Sequence, residues 1–258
     1  MKLGSSTVVA ITGASSGIGQ ELAFQLAARG CAVALGARRR DRIEANAEAI
    51  RKKGGRAIAV PTDVSVRGEV ERFFRRAAEE FGRLDIAVHN AGISPAKGTL
   101  LENDEADVRR TFDVNVMGCV YGIWGAAPVM EKNGGGVMVF VSSIVGKRGV
   151  PLASAYCASK FAVQGLTESV RPELEKKNIR VVTVCPPGVD TEFFKANARR
   201  DTRRFRLHPV GRIARDIVRA CECEPREVLL TMDAKLLRWM SALAPRFMDR
   251  AIARAKGV

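Results

Sequence analysis

The chain has 258 residues, 47% hydrophobic and 27% charged, a balance that fits a soluble globular protein and excludes a largely disordered one. No apolar run approaches the roughly 20 residues that a membrane-spanning helix needs, and residues 1–13 carry one lysine and a short apolar stretch that enters a glycine turn, so they read as a first strand and not as a signal peptide. The formal net charge of +14 points to anionic partners, but only 6% of the residues are aromatic and no nucleic-acid reader module is recognisable, so nucleic acid is not expected among them.

Up to about residue 190, short apolar runs alternate with helical patterns. Val8-Val9-Ala10-Ile11 forms the first run, and residues 18–28 form an amphipathic helix that ends at Gly30. Strands follow at residues 32–35 and 57–60, with a helix through Ile50 between them and another over residues 68–81. Ile86-Ala87-Val88 and residues 137–141 and 181–184 complete the series. Wholly apolar strands separated by helices require a sheet covered on both faces, which predicts a doubly wound parallel α/β sheet flanked by helices. Beyond Gly188 the pattern weakens into a basic lid, a helix over residues 213–221, a short strand over 227–231 and a basic amphipathic tail.

The first strand and helix enclose Thr12-Gly13-Ala14-Ser15-Ser16-Gly17-Ile18-Gly19. Glycines between a strand and a helix let backbone approach a pyrophosphate, while the helix N-terminus offers free N–H groups and partial positive charge. Gly13, Ser15, Ser16, Gly17, Ile18 and Gly19 are therefore candidate dinucleotide contacts. At the end of the second strand, where an adenosine ribose is met, an acid would select NAD; the chain reads Gly36-Ala37-Arg38-Arg39 instead. Arg38 and Arg39 can clamp a 2′-phosphate, so NADP(H) is expected over NAD(H), with Arg38 the main contact. Asp63 and Val64 stand where an adenine edge would lie, and Asn90, Ala91 and Gly92 supply small residues for close approach to the cofactor.

Tyr156 and Lys160 lie four residues apart, one turn of a helix, so a hydroxyl and an ammonium can converge on one ligand. A free tyrosine has a pKa of about 10. A lysine charge about 4 Å away at an effective dielectric of about 20 contributes about 4 kcal/mol, enough to bring that value near neutrality. The glycine turn, Asp63, Asn90-Ala91-Gly92, Asn115, Ser143, Tyr156-x-x-x-Lys160 and Pro187-Gly188 together resemble the short-chain dehydrogenase/reductase family, over roughly residues 6–192.

The resemblance implies a Rossmann-fold oxidoreductase that interconverts a carbonyl and an alcohol of a small molecule; with NADP(H) expected from the arginines, and that cofactor usually supplied reduced, reduction is the expected direction. It makes Tyr156 the general acid or base, Lys160 its activator and a ribose contact, Ser143 (preferred to Ser142) a donor to the substrate oxygen, and Asn115 the holder of a proton-relay water. Pro187, Gly188, Val189 and Thr191 would receive the carboxamide of the nicotinamide. A dinucleotide sensor or scaffold that lost the chemistry is the competing class. Three features depart from the family pattern: His89 stands where a second asparagine is common and reads as structural; Pro172 should kink or end the catalytic helix beyond Lys160; and the C-terminal segment lacks the family's usual short tail.

All 258 residues are expected in one domain, with a lid at about 190–212 and a tail at about 234–258. Residues 193–208 carry five arginines and one lysine against one aspartate, suiting either a solvated segment or attraction of an anionic substrate. In the tail, Leu236, Leu237, Met240 and Leu243 recur at helical spacing, as do Phe247, Met248, Ala251 and Ile252 after Pro245, beside Arg246, Arg250 and Arg254. Packing against the domain or a sister subunit in a dimer or tetramer is expected, with peripheral attachment to anionic lipid as the alternative. The six cysteines read as small buried hydrophobes of a reducing, cytoplasmic compartment, and no metal is expected.

Overall fold

The apolar runs become strands whose side chains are covered from both sides. In a computed structural model that describes residues 1–95, 99–197 and 207–256, β1 (Val8–Thr12), β2 (Ala32–Ala37) and β4 (Ile86–His89) are buried at every position. β5 (Gly136–Val141) and β6 (Ile179–Cys185) are nearly so, while β3 (Arg56–Pro61) and β7 (Glu227–Leu229) are the half-exposed edges. The strands pair in parallel in the order β3-β2-β1-β4-β5-β6-β7. This is one α/β domain of the doubly wound Rossmann kind.

Alternate strand residues face opposite layers. Val9, Ile11 and Val33 pack with Leu22 of α1 (Gly17–Ala28), Ile43 of α2 (Arg40–Lys52) and Ile213 of α8 (Val210–Cys223). The smaller Ala10, Ala34 and Ala87 pack with Phe73 of α3 (Arg67–Phe81), Ile123 of α5 (Gly118–Lys132) and Val163 of α6 (Ser154–Glu175). Small residues are required on that face: a Cβ on Gly36 would come within 2.9 Å of the Phe73 ring.

Two boundaries differ from the sequence reading for identifiable reasons. The helix that carries Tyr156 and Lys160 does not end at Pro172 but continues to Glu175, the proline costing it only the one hydrogen bond that its missing N–H would have made to the preceding turn. The strand expected over residues 227–231 ends at Leu229, because Thr231 is taken as the N-cap of α9 (Met232–Leu243), its side chain accepting from Ala234 N. The tail forms α9 and α10 (Pro245–Lys256), divided next to Pro245 as its sequence suggests. Five of the six cysteines are buried, Cys223 being the exposed one.

His89, the last residue of β4, is buried with its ring stacked 4.4 Å from that of Phe140. Among the described residues neither ring nitrogen has a hydrogen-bond partner, and burial pushes its pKa down from 6.5 to about 3. It therefore stays neutral in the fold while the unfolded chain protonates it below its ordinary value. Stability is accordingly full above that value and is lost as pH falls from 6.5 towards about 3. Replacing His89 with Leu should flatten this dependence, recovering about 2 kcal/mol at pH 5 relative to the pH 7 comparison, as read from urea unfolding at the two pH values. Parallel pH curves for the two proteins would rule out the assignment.

Candidate active site

β1 and β4 are neighbours from which the crossovers depart in opposite directions, leaving a crevice at their C-terminal ends. The glycine turn is clamped into this crevice. The Thr12 hydroxyl donates to Val88 O (3.3 Å) and accepts from the amide of Asn90 (3.1 Å). Asn90 Nδ2 donates to Thr12 O and Gly13 O, at 3.0 and 3.2 Å. Gly13, at φ 68°, could carry no Cβ, which would lie 2.8 Å from Ala91 Cα. The N-cap residue of α1, Ser16, makes no capping hydrogen bond with its side chain, so the first N–H groups of the helix and its dipole are presented to an anion.

The arginines at the end of β2 reach back to this turn. Arg39 donates from Nε and Nη2 to Ser15 Oγ (3.0 and 2.7 Å) and from Nη2 to Ser16 Oγ (2.6 Å). Arg38 lines the same space beside Asp63. Burial pushes the Asp63 carboxyl up, but hydrogen bonds from Ser65 and the charges of Arg38 and Arg110 outweigh it and leave the group below its ordinary range. The Asp63 amide donates to Glu69 (2.7 Å), and its Oδ1 accepts from Ser65 N (3.0 Å) and Ser65 Oγ (2.7 Å).

At the other end of the crevice, α6 presents Tyr156 and Lys160 on one face. Lys160 Nζ lies 5.8 Å from the centre of the Tyr156 ring and donates to Val141 O at 2.8 Å. Burial pushes Lys160 below, and Tyr156 above, the ordinary range, with a hydrogen bond from Ser143 pulling Tyr156 back down. The downward shift expected from Lys160 is thus absent in this geometry. Its ammonium is directed at a backbone carbonyl, and loss of hydration at the phenol wins. Ser142, by contrast, donates to Lys160 O at 3.2 Å, tying the end of β5 to α6.

Asn115 sits in a π-helical turn, Asp113–Met117, between α4 (Glu105–Phe112) and α5. Its Oδ1 accepts from Ile93 N (2.8 Å), and its Nδ2 donates to Ile93 O (2.8 Å) and to Ser159 Oγ (2.9 Å). The amide is consumed in holding the chain after β4 against α6. Between Asn115 and Lys160 lies Gly92, where a Cβ would stand 3.3 Å from Asn115 Oδ1 and 3.5 Å from Lys160 Nζ.

These parts open on one cavity of about 1000 Å³. Gly13, Ser15, Ser16, Gly17 and Ile18 line it, with Arg38, Arg39, Asp63 and Val64 at one end. Asn90, Ala91 and Gly92 line its middle, and Ser143, Tyr156 and Lys160 the other end, roofed by Pro187, Gly188, Val189 and Thr191. Gly19 and Asn115 are not on its wall; a Cβ on Gly19 would press within 2.5 Å of Asn90 Nδ2, so this glycine serves packing. A cradle of this length, with a positive end, an uncapped helix and a hydroxyl–ammonium end, fits a dinucleotide.

The sequence reading missed much of the apolar wall beyond Tyr156: Ile93, Val145, Val150, Phe194 and Leu237, with Phe193 packed 5.7 Å from the Tyr156 ring. Periodicity places Leu237 on a helix face but does not show that it reaches the cavity, and the other positions come from loops and from short helical segments that carry no periodic signal. His208 N donates to Gly188 O (2.9 Å) and Asp190 N donates to His208 O (3.0 Å). The lid's five arginines lie within residues 198–206, outside the described residues, so the anionic-substrate expectation has no structural account. Among the described residues, no helix is long and apolar enough to cross a membrane.

Comparison with known proteins agrees with this arrangement. The family model described as short chain dehydrogenase matches residues 7–202. A cis-4-hydroxycyclohexanecarboxylate dehydrogenase of Sinomonas cyclohexanicum is 37% identical, over 97% of this chain and 95% of its own. A 3beta-hydroxysteroid dehydrogenase of Mediterraneibacter gnavus is 38% identical over 71% of this chain and 66% of its own. Among solved structures, a short-chain dehydrogenase/reductase of Burkholderia phymatum in complex with NAD superimposes with a TM-score of 0.84 at 26% identity, covering 94% of this chain and 96% of that one.

Proposed function

The chain belongs to the short-chain dehydrogenase family of oxidoreductases, and we propose that it is an NADP(H)-dependent reductase of an apolar cyclic ketone, returning the secondary alcohol. The observation that carries this reading is the continuity of one cavity from Arg38 and the glycine turn to Tyr156, Lys160 and Ser143. Bound there, the nicotinamide supplies the hydride or takes it back.

Tyr156 is the proton donor. Burial that raises its pKa keeps the phenol protonated, the form that can give a proton to a carbonyl oxygen acquiring negative charge. Ser143 donates to that same oxygen. Lys160, whose Nζ donates to Val141 O, would also hold the ribose of a bound dinucleotide and hand a proton to the phenolate, regaining one from solvent, while Asn115 fixes the Ile93 segment and Ser159 around it. The apolar wall beyond Tyr156 and the ring alcohols named for two relatives support a cyclic, largely hydrocarbon substrate. Arg38 and Arg39, in the place of the acid that would select NAD, support NADP(H) even though the Burkholderia phymatum structure holds NAD.

Tyr156→Phe should lower kcat for ketone reduction by about a hundredfold or more while leaving dinucleotide affinity within about twofold. In the native protein, reduction should stay flat across neutral pH. Alcohol oxidation, which needs the deprotonated phenol, should climb tenfold per pH unit from about pH 7 to 9. Full activity in the variant, or oxidation that falls as pH rises, contradicts the role. Arg38→Gln should weaken NADP+ binding about tenfold or more by fluorescence titration and leave NAD+ little changed; equal losses for both would remove Arg38 as the selector.

The protein acts in the cytoplasm as a homo-oligomer. α9 and α10 leave Leu236 (60% exposed), Trp239 (68%), Leu243 (81%) and Phe247 (62%) uncovered, an apolar stripe suited to a sister subunit. Light scattering should give a dimer or tetramer that Trp239→Glu dissociates. A monomer that co-sediments with phosphatidylglycerol vesicles only when residues 234–258 are present would assign the stripe to lipid instead.

A further inference from the structure

Besides Asp63, the cavity wall carries a second acid at the arginine end, and this one is ion-paired to Arg39 and Arg42. Glu192 is the first residue of α7 (Glu192–Asn197), at the root of the lid. Its Oε2 accepts from Arg39 Nη1 at 3.1 Å, and both its oxygens accept from Arg42 Nη1, at 2.8 and 2.6 Å. One carboxylate thus draws on two guanidinium groups, the same donors and geometry that a phosphate monoester would use. Arg39 simultaneously holds Ser15 and Ser16 of the phosphate-binding turn. The lid root, the end of β2 and the glycine turn therefore meet in a single charged cluster.

We propose that Glu192 occupies the place of the cofactor's 2′-phosphate, latching the lid root to Arg39 and Arg42, and that its displacement by that phosphate sets how strongly the chain discriminates NADP(H) from NAD(H). The inference rests on the proposed placing of the adenosine ribose at this end of the cavity. The pairing is exposed enough to be exchanged: the side chains of Arg39, Arg42 and Glu192 retain 45%, 48% and 57% of their accessible surface. Exposed ion pairs of this kind are weak, whereas a phosphate dianion offers more charge and more acceptor oxygens. The two arginines hold the Glu192 carboxyl below its ordinary range, Arg42 most strongly, so it remains an anion at neutral pH and opposes an incoming phosphate. A ribose with a free 2′-hydroxyl brings no charge to compete, so NAD(H) enters with the latch shut.

The latch also joins the two ends of the cavity. Thr191 stands beside Glu192 and packs on the glycine turn, where a Cβ on Gly17 would lie 3.2 Å from Thr191 Cγ2. Phe193, next along, packs on the Tyr156 ring. Displacement at the arginines therefore pulls on residues that border the reacting end.

The test is calorimetric titration of the full-length protein with 2′,5′-ADP, which carries the 2′-phosphate without the nicotinamide, and with 5′-AMP, which lacks it. Glu192→Gln should tighten 2′,5′-ADP by about three- to tenfold and leave 5′-AMP unchanged. Adding Arg42→Gln to that variant should remove most of the gain. No change in the ratio of the two affinities on Glu192→Gln, or a gain shared equally by both nucleotides, overturns the latch. The proposed cofactor preference fails separately, if the native protein binds 5′-AMP as tightly as 2′,5′-ADP; the latch is still decided by the shift in that ratio between native protein and variant.

Discussion

The site depends on how the chain is held where β1 and β4 part. Two side chains do this: Thr12, which bridges to Val88 and Asn90, and Asn90, whose amide binds the carbonyls of Thr12 and Gly13. These bonds satisfy backbone groups that the turn would otherwise leave unpaired in a buried crevice, a cost of about 1–3 kcal/mol each if unmet. With that backbone fixed, Gly13 and Gly17 can adopt φ of 68° and 59°, and α1 begins uncapped beneath the open space. The arginines of the β2 end and the hydroxyls of Ser15 and Ser16 then fall together, and the remainder of the cavity extends from there along the strand ends to Tyr156.

Electrostatics divide the cavity into two regimes. At the arginine end, charges are exposed, mutually paired and exchangeable, as befits a place where a charged ligand group enters and leaves. At the tyrosine end, polar groups are withdrawn from water, and hydration loss dominates their protonation: Tyr156 is held neutral and Lys160 is pushed below its usual range while bonded to Val141 O. A neutral phenol beside an ammonium is the pairing needed to deliver a proton to a carbonyl oxygen. Under the proposed mechanism the reverse reaction would require that phenol to ionise against its burial, so its rate would rise with pH while that of the forward reaction would not.

Much of this was legible in the sequence because the determining contacts are local or periodic. Fully apolar strand runs, glycines at a strand–helix junction, and a tyrosine and lysine four residues apart state their geometry through spacing alone. What was hidden arises from contacts between distant segments. The Arg42–Glu192 pair joins residues 150 apart in sequence, and Leu237 reaches the cavity only because α9 folds back over it. The π-helical turn at Asn115 leaves no mark in residue type, and the three hydrogen bonds that consume its amide come from two other parts of the chain. The expected effect of Lys160 on Tyr156 differed for a related reason: charge was weighed at the spacing of a helix turn, whereas burial of both groups decides the outcome.

The central claim is that one dinucleotide lies along the carboxyl ends of β2, β1, β4 and β5 with its adenosine at the arginines and its nicotinamide at Tyr156. A crystal structure of the protein grown with NADP+ tests this most directly. The account predicts density for the 2′-phosphate within hydrogen-bond distance of the arginine cluster Arg38, Arg39 and Arg42 and for the nicotinamide ring beside Tyr156 and Lys160. Density in the opposite orientation, or a dinucleotide bound away from the glycine turn, would contradict it.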